Sequence, residues 1–442
     1  MYRTRSFAGG RSCAFSTTGG VRRPALPQGR VPDGEVLSAR TLEILDLAMR
    51  WTHVIAAIMW AGNSMLFSWL DRTLRPSAAN PTGEIGDTWL LHSGAFYHVK
   101  KTGLVGGPLP SPLHWFKWQA YITWLSGAML LIVVYYAGGR ALLVDPSVAS
   151  LSHGTAVAIA VGSILLGGIC YDALWSTVGN RSARVAGLLS LAALVAAVWA
   201  LTHLLSGRAA FLHIGALLGT IMAGNVALTI VPSQRALVAG VSSGEPNPAL
   251  AALAARAKTR SIHNNYLTFP VIALMVSSHF PGLYGADYAW LVLLVVLAAG
   301  AAVRHLLNVR FSMRAWPAAL AIVIVASFVA LGALTRGGSS VRGAVISADT
   351  AGLPARVAFE DARSVIDRRC AACHSLAPSI IEFGPAPGGV AFDRPDQIAA
   401  HAARIRERAV ETRSMPLANR TNMTERERAL LGRWIEQGAP LR

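Results

Sequence analysis

Apolar residues are not spread evenly along this 442-residue chain. They gather in eight runs, near 47–70, 118–137, 154–175, 184–205, 209–231, 266–280, 288–306 and 316–335, parted by short polar segments. A bilayer core of about 30 Å takes ~20 helical residues to cross, and backbone inside lipid must satisfy its own hydrogen bonds. Each run is therefore predicted to be a membrane-spanning helix, the sixth being the shortest. Beyond them a Gly/Ser-rich linker, 336–356, leads into 357–442, where polar and apolar residues mix as in a small soluble helical domain. The expected fold is all-α: an eight-helix transmembrane bundle, 41–335, followed by a small soluble α-helical domain.

Composition agrees. Hydrophobic residues make up 53% and charged residues 14%, whereas charged residues are about a quarter of an ordinary soluble domain. The formal charge of +17 could mark a nucleic-acid partner, but its placement argues for a lipid bilayer instead. The odd-numbered loops and their edges carry Arg72, Lys100, Lys101, Arg181, Arg256, Lys258, Arg304 and Arg314, whereas loops two and four hold one Lys/Arg each and loop six none. Positive residues stay inside, so the odd loops are expected in the cytoplasm and the C-terminal domain outside it. Residues 1–40, with six Arg and no acidic residue in the first 30, lack an apolar h-region and do not read as a secretory signal. They are expected to be a disordered or spurious extension.

Four cysteines occur, and Cys13 and Cys170 carry no motif. Cys370-Ala371-Ala372-Cys373-His374 is C-x-x-C-H, the attachment pattern of a c-type haem. Thiols three residues apart on one turn reach the two vinyl groups of a porphyrin, and the next imidazole ligates its iron. Zinc would want a second ligand pair at like spacing, and none follows. A sixth ligand is expected from Met415, in the irregular stretch before Pro416; Met423 directly precedes the capping-box pattern of the last helix and reads as a packed residue. The C-terminal domain is thus expected to be cytochrome c-like, with one covalent haem passing electrons on. Haem of this type is attached outside the cytoplasm, in agreement with the loop charges.

The remaining histidines form two layers. His53, His203, His213 and His279 fall at the outer ends of spans. Ionisable groups in membranes are costly, so these are candidates for a second centre, a b-type haem or other metal; the plainer reading is imidazole tolerated at the interface. The inner layer combines His98 with Arg260-Ser261-Ile262-His263-Asn264-Asn265-Tyr266. Cations beside consecutive amides suit a planar, anionic, hydrogen-bonding ligand, making His263, Asn264, Asn265 and His98 the candidate catalytic residues.

The stretches Trp51-Thr52-His53 through Gly62-Asn63-Ser64, His213 through Pro232 and Arg260 through Tyr266 resemble the bacterial membrane-bound urate oxidases, the PuuD-type urate hydroxylases. That resemblance implies oxidation of urate to 5-hydroxyisourate, with water as the oxygen source. It further implies electron delivery through a C-terminal cytochrome c to a respiratory-chain acceptor at the bacterial inner membrane. Two other readings stay open: an electron-transfer subunit of another oxidase or dehydrogenase with no substrate site of its own, and a metal transporter with an attached cytochrome.

Overall fold

The computed structural model describes residues 39–442 except 77–82, 105–108, 138–139, 147, 244–247, 337–352, 381–385 and 442. Most of the N-terminal extension and of the 336–356 linker lies outside the described residues.

The apolar runs form helices. In chain order these are α1 (Ala39–Thr73), α2 (Trp118–Leu131), the short α3 (Arg140–Leu143), α4 (His153–Arg181), α5 (Ala183–Leu204), α6 (Gly207–Gly224), α7 (Val231–Ser242), α8 (Ala249–Ser277), the short α9 (Pro281–Tyr284), α10 (Ala289–Val309) and α11 (Trp316–Arg336). A wide π turn, Asn225–Ile230, joins α6 to α7 in one continuous rod. Serines set three of the starts: Ser152, Ser182 and Ser206 each accept a hydrogen bond from the backbone N–H three residues on, satisfying an otherwise orphaned donor.

Among the described residues seven helices are long and apolar enough to cross a membrane, one fewer than expected. The sixth run is the exception. It forms the C-terminal part of α8, whose first half carries Arg256, Lys258 and Arg260 and is too polar to count. Yet α8 traverses the bundle between α6 and α10. Its Asn265 meets Ser68 near the end of α1, while α9, just beyond it, meets the opposite end. Pro270 removes a helical donor midway, and α10 comes close there: a Cβ on Gly300 would lie 2.8 Å from Pro270 N.

The α6 helix is the axis of the bundle. Its span is 56% buried, against none of that of α11. Phe211, Ile214 and Leu218 pack there with Val198, Leu274 and Leu293. Leu188, Ile322, Phe328 and Val329 point outward, an apolar belt that needs lipid around it.

One feature departs from the expected outline. The first loop is not irregular: β1 (Glu84–His92) and β2 (Ala95–Thr102) pair as an antiparallel hairpin, turning at Ser93 (φ 51°) and Gly94 (φ 75°). Both central residues are left-handed, as a tight hairpin with right-twisted strands requires. Residues 353–441 form a separate core. Helices α12 (Phe359–Arg369), α13 (Pro395–Ala400), α14 (Ala402–Ile405) and α15 (Glu425–Glu436) gather Val365, Ile366, Ile398, Leu431 and Trp434. Thr424 caps α15 while Glu427 reaches back to it. This C-terminal domain rests on the bundle at the end bearing α3 and α9. The segment Leu417–Asn419 touches α3, and a Cβ on Gly285 would lie 2.9 Å from Thr412 O. That end is called the near end below, and the other the far end.

Candidate functional site

In the C-terminal domain the C-x-x-C-H segment continues directly from α12. The amide of Cys370 donates to Ile366 O (2.8 Å), and those of Cys373 and His374 both donate to Cys370 O (3.1 and 2.8 Å). One compact turn therefore carries both thiols and the imidazole. The His374 ring donates through Nδ1 to Val390 O (3.2 Å), which fixes the tautomer and leaves Nε2 for a metal, the usual outer-shell arrangement of a ligating histidine. Burial lowers the His374 pKa, against that hydrogen bond, and so favours the neutral form a ligand needs. Burial also pushes the Cys370 thiol up to about 12. A zinc thiolate would have to form against that cost, whereas a thioether carries no charge.

The two methionines differ in setting. Met423 is 3% exposed in the domain core, its backbone bracketed by Asn419 (2.9 and 3.1 Å). Met415 is half-buried, in a loop held by its backbone: its amide donates to Arg408 O (2.9 Å), and its carbonyl accepts from Arg428 Nη1 (2.8 Å). The turn at Cys370, Cys373 and His374 thus fits a c-type haem, with the Met415 loop as the candidate source of a sixth ligand.

At the far end the segment 260–266 does not make one site. Successive helical residues point about 100° apart, so Asn264 and Asn265 take different partners. Towards α4 and α6, Arg260 Nη2 pairs with Asp172 Oδ1 (2.8 Å) and Nη1 donates to Asn225 Oδ1 (3.3 Å). Asn225 Nδ2 donates to Asn264 Oδ1 (2.9 Å) and Tyr171 Oη (3.2 Å). His263 Nδ1 meets the Tyr171 hydroxyl (2.6 Å), and its ring lies 4.1 Å from that of Trp175. Towards α1 and α10, Asn265 bonds to Ser68 Oγ (2.7 Å), Arg304 Nε (3.1 Å) and Asn308 Nδ2 (2.7 Å). His98 joins neither group: it bonds to Asp87 and stacks on Trp89, both in the hairpin, and holds the Asp87 carboxyl below its usual range. Sequence reading missed Tyr171, Asp172, Asn225, Ser68 and Asn308. Asp172 did leave a signal, being the one charged residue in the run 154–175.

The outer histidines have separate partners. His53 Nδ1 bonds to Thr123 O (2.9 Å) and Ser126 Oγ (3.2 Å). His203 bonds to Trp199 O (2.6 Å) and stacks on that ring. Both nitrogens of His213 are engaged, with Ala209 O (2.7 Å) and Tyr136 Oη (3.1 Å). Among the described residues no three His, Cys, Asp or Glu side chains gather closely enough to share an ion.

His279 is placed differently. With Phe280, Pro281, Gly282, Leu283 and Thr335 of the bundle, and Glu407 and Arg408 of the C-terminal domain, it lines a near-end cleft of about 280 Å³. Small-molecule sites begin at about that size. Arg408 Nε is buried without a hydrogen bond and makes only a 3.5 Å ion contact with Glu407. Arg408 is also the residue whose carbonyl holds Met415, so the cleft abuts the candidate axial-ligand loop.

Neither curated proteins nor solved structures gave a match to this chain. A family model, urate oxidase N-terminal, matches residues 39–335, which is the whole membrane bundle and more than half of the sequence. The chain therefore belongs to the urate oxidase N-terminal family.

Proposed function

We propose that this protein oxidises urate in the membrane and passes the electrons to a c-type haem in its own C-terminal domain. The single observation that carries this is the joining, in one chain, of a urate oxidase family bundle to a C-x-x-C-H turn whose histidine is already tautomer-fixed through Val390. The balanced reaction adds water to urate and releases 5-hydroxyisourate, two protons and two electrons. Bound haem supplies a one-electron acceptor that is used twice.

The near-end cleft is the proposed substrate site. Urate is a planar monoanion at neutral pH, and the Arg408 guanidinium, on the cleft wall and about a third exposed, offers it a positive charge. His279, on the same wall, is the base that takes a proton as water adds. Phe280 and Leu283 supply apolar cover. Because the cleft adjoins the Met415 loop, electrons leaving urate there need not cross about 30 Å of apolar core. In this reading the far-end polar groups on α8 hold helices together. Loop charge puts the near end outside the cytoplasm, where c-type haem is attached, and a respiratory-chain partner takes the electrons onward.

Purified full-length protein, oxidised and kept anaerobic, tests this. Addition of urate is expected to bleach the oxidised haem spectrum. A haem that dithionite reduces but urate does not would favour an electron-transfer subunit for another enzyme.

A further inference from the structure

Arg304 on α10 is 2% exposed, yet all its described partners are neutral. Its Nε donates to Asn265 O (3.2 Å) and Oδ1 (3.1 Å), its Nη2 to Ser68 Oγ (3.4 Å), and its guanidinium lies 5.4 Å from the Phe269 ring centre. Nη1 has no partner among the described residues, and no carboxylate pairs with the group. The other buried arginine of α8–α10, Arg260, has Asp172. A buried charge without a counter-charge is destabilising, and neutral oxygens do not cancel it. Arg72 and Arg310 add to the imbalance, lining the same far-end cleft between α1 and α10 with Ser68 and Asn308. Helix C-termini welcome cations, which accounts for Arg72 and Arg310 on the rim but not for burial of Arg304.

The cleft has room of about 30 Å³. That holds a compact group of a few atoms; sites for ring systems start near ~300 Å³. On its wall Met65 and Phe311 are exposed apolar side chains, as acyl chains would require. Basic pockets between helices at a cytoplasmic face suit anionic headgroups. We propose that this cleft binds a phosphate oxyanion, presented by an anionic phospholipid of the leaflet at the far end, with Arg304 as its buried anchor and Arg72 and Arg310 as its rim. The bound lipid neutralises Arg304 and clamps α1 to α10 and, through Asn265, to α8. This rests on charge and burial alone and does not depend on what the protein oxidises.

The test uses full-length protein in nanodiscs of phosphatidylcholine, titrated with phosphatidylglycerol, with melting temperature and lipid retention in native mass spectrometry as readouts. Phosphatidylglycerol is expected to raise the melting temperature saturably. Arg72→Gln and Arg310→Gln leave the buried charge in place and should each weaken that effect about fivefold. Arg304→Gln should abolish it, and Arg304→Lys should restore part of it. Equal stabilisation of wild type and all variants would overturn the site. Stabilisation by inorganic phosphate in pure phosphatidylcholine, with nothing added by phosphatidylglycerol, would overturn the lipid as its source. A raised KM for urate in Arg310→Gln with lipid binding intact would assign the cleft to substrate and overturn the proposal as well.

Discussion

At the far end of the bundle, Arg260 meets Asp172 at 2.8 Å, and Asn225, Asn264, Tyr171 and His263 saturate one another across α4, α6 and α8. At the near end, Arg408 lines a cleft of about 280 Å³ with its guanidinium about a third exposed. Polar groups that satisfy each other inside an apolar bundle fix how helices sit. Polar groups left open beside a cavity are available to a ligand. The contrast separates a scaffold from a site, although both are made of the same residue types and both looked equally chemical in the sequence.

The largest expected effect falls at the near end. Cys370→Ala/Cys373→Ala should remove covalent haem, seen as loss of haem staining on a denaturing gel, and abolish urate turnover. Met415→Leu should keep the haem attached but change its absorbance and potential, whereas Met423→Leu, a volume-conserving core change, should leave the spectrum unaltered and cost less than ~1.5 kcal/mol. Arg408→Gln should raise KM for urate roughly tenfold, the value of a charge-assisted hydrogen bond of ~1.5 kcal/mol, with little change in melting temperature. Asp172→Ala should do the opposite. It strands a buried guanidinium and should cost roughly 2 kcal/mol, below the figure for a fully buried pair because Asp172 is partly exposed, while KM stays put. A KM change in Asp172→Ala, or a stability loss without a KM change in Arg408→Gln, would break the contrast between the ends.

The smallest effect is a pH dependence in the C-terminal domain. Burial alone would raise the Glu427 pKa. The hydrogen bonds from Thr424 and from Arg369 (3.0 and 3.1 Å) outweigh it and hold the carboxyl low. A depressed folded pKa contributes stability that is fully present above the unfolded value of about 4.3 and is lost as pH falls through the folded one. Glu427→Gln should flatten the acid limb of the domain's melting temperature against pH.

Much of this architecture was legible because its causes are local. Run length marked eight helices, of which seven among the described residues are long and apolar enough to span, and the C-x-x-C-H spacing marked the turn after α12. The hairpin was not foreseen: Ser93-Gly94 is a turn signal, but a loop flanked by membrane helices invites no strand. The eighth traverse was expected as an apolar span, and α8 instead crosses as a partly polar helix whose Arg260 is held by neighbours 35 to 88 residues away. The site was harder still. Asn264 and Asn265 are adjacent in sequence and face different helices. The near-end cleft joins His279 to Arg408 across more than a hundred residues, a pairing that only the docking of the C-terminal domain creates.

The central claim is that electrons taken from urate arrive at the haem of the same chain. Stopped-flow absorbance of the purified, oxidised, full-length protein mixed anaerobically with limiting urate tests it most directly. Two equivalents of haem reduced per urate consumed, with the rate lost in Cys370→Ala/Cys373→Ala, is the predicted result. Urate consumed while the haem stays oxidised would contradict the account.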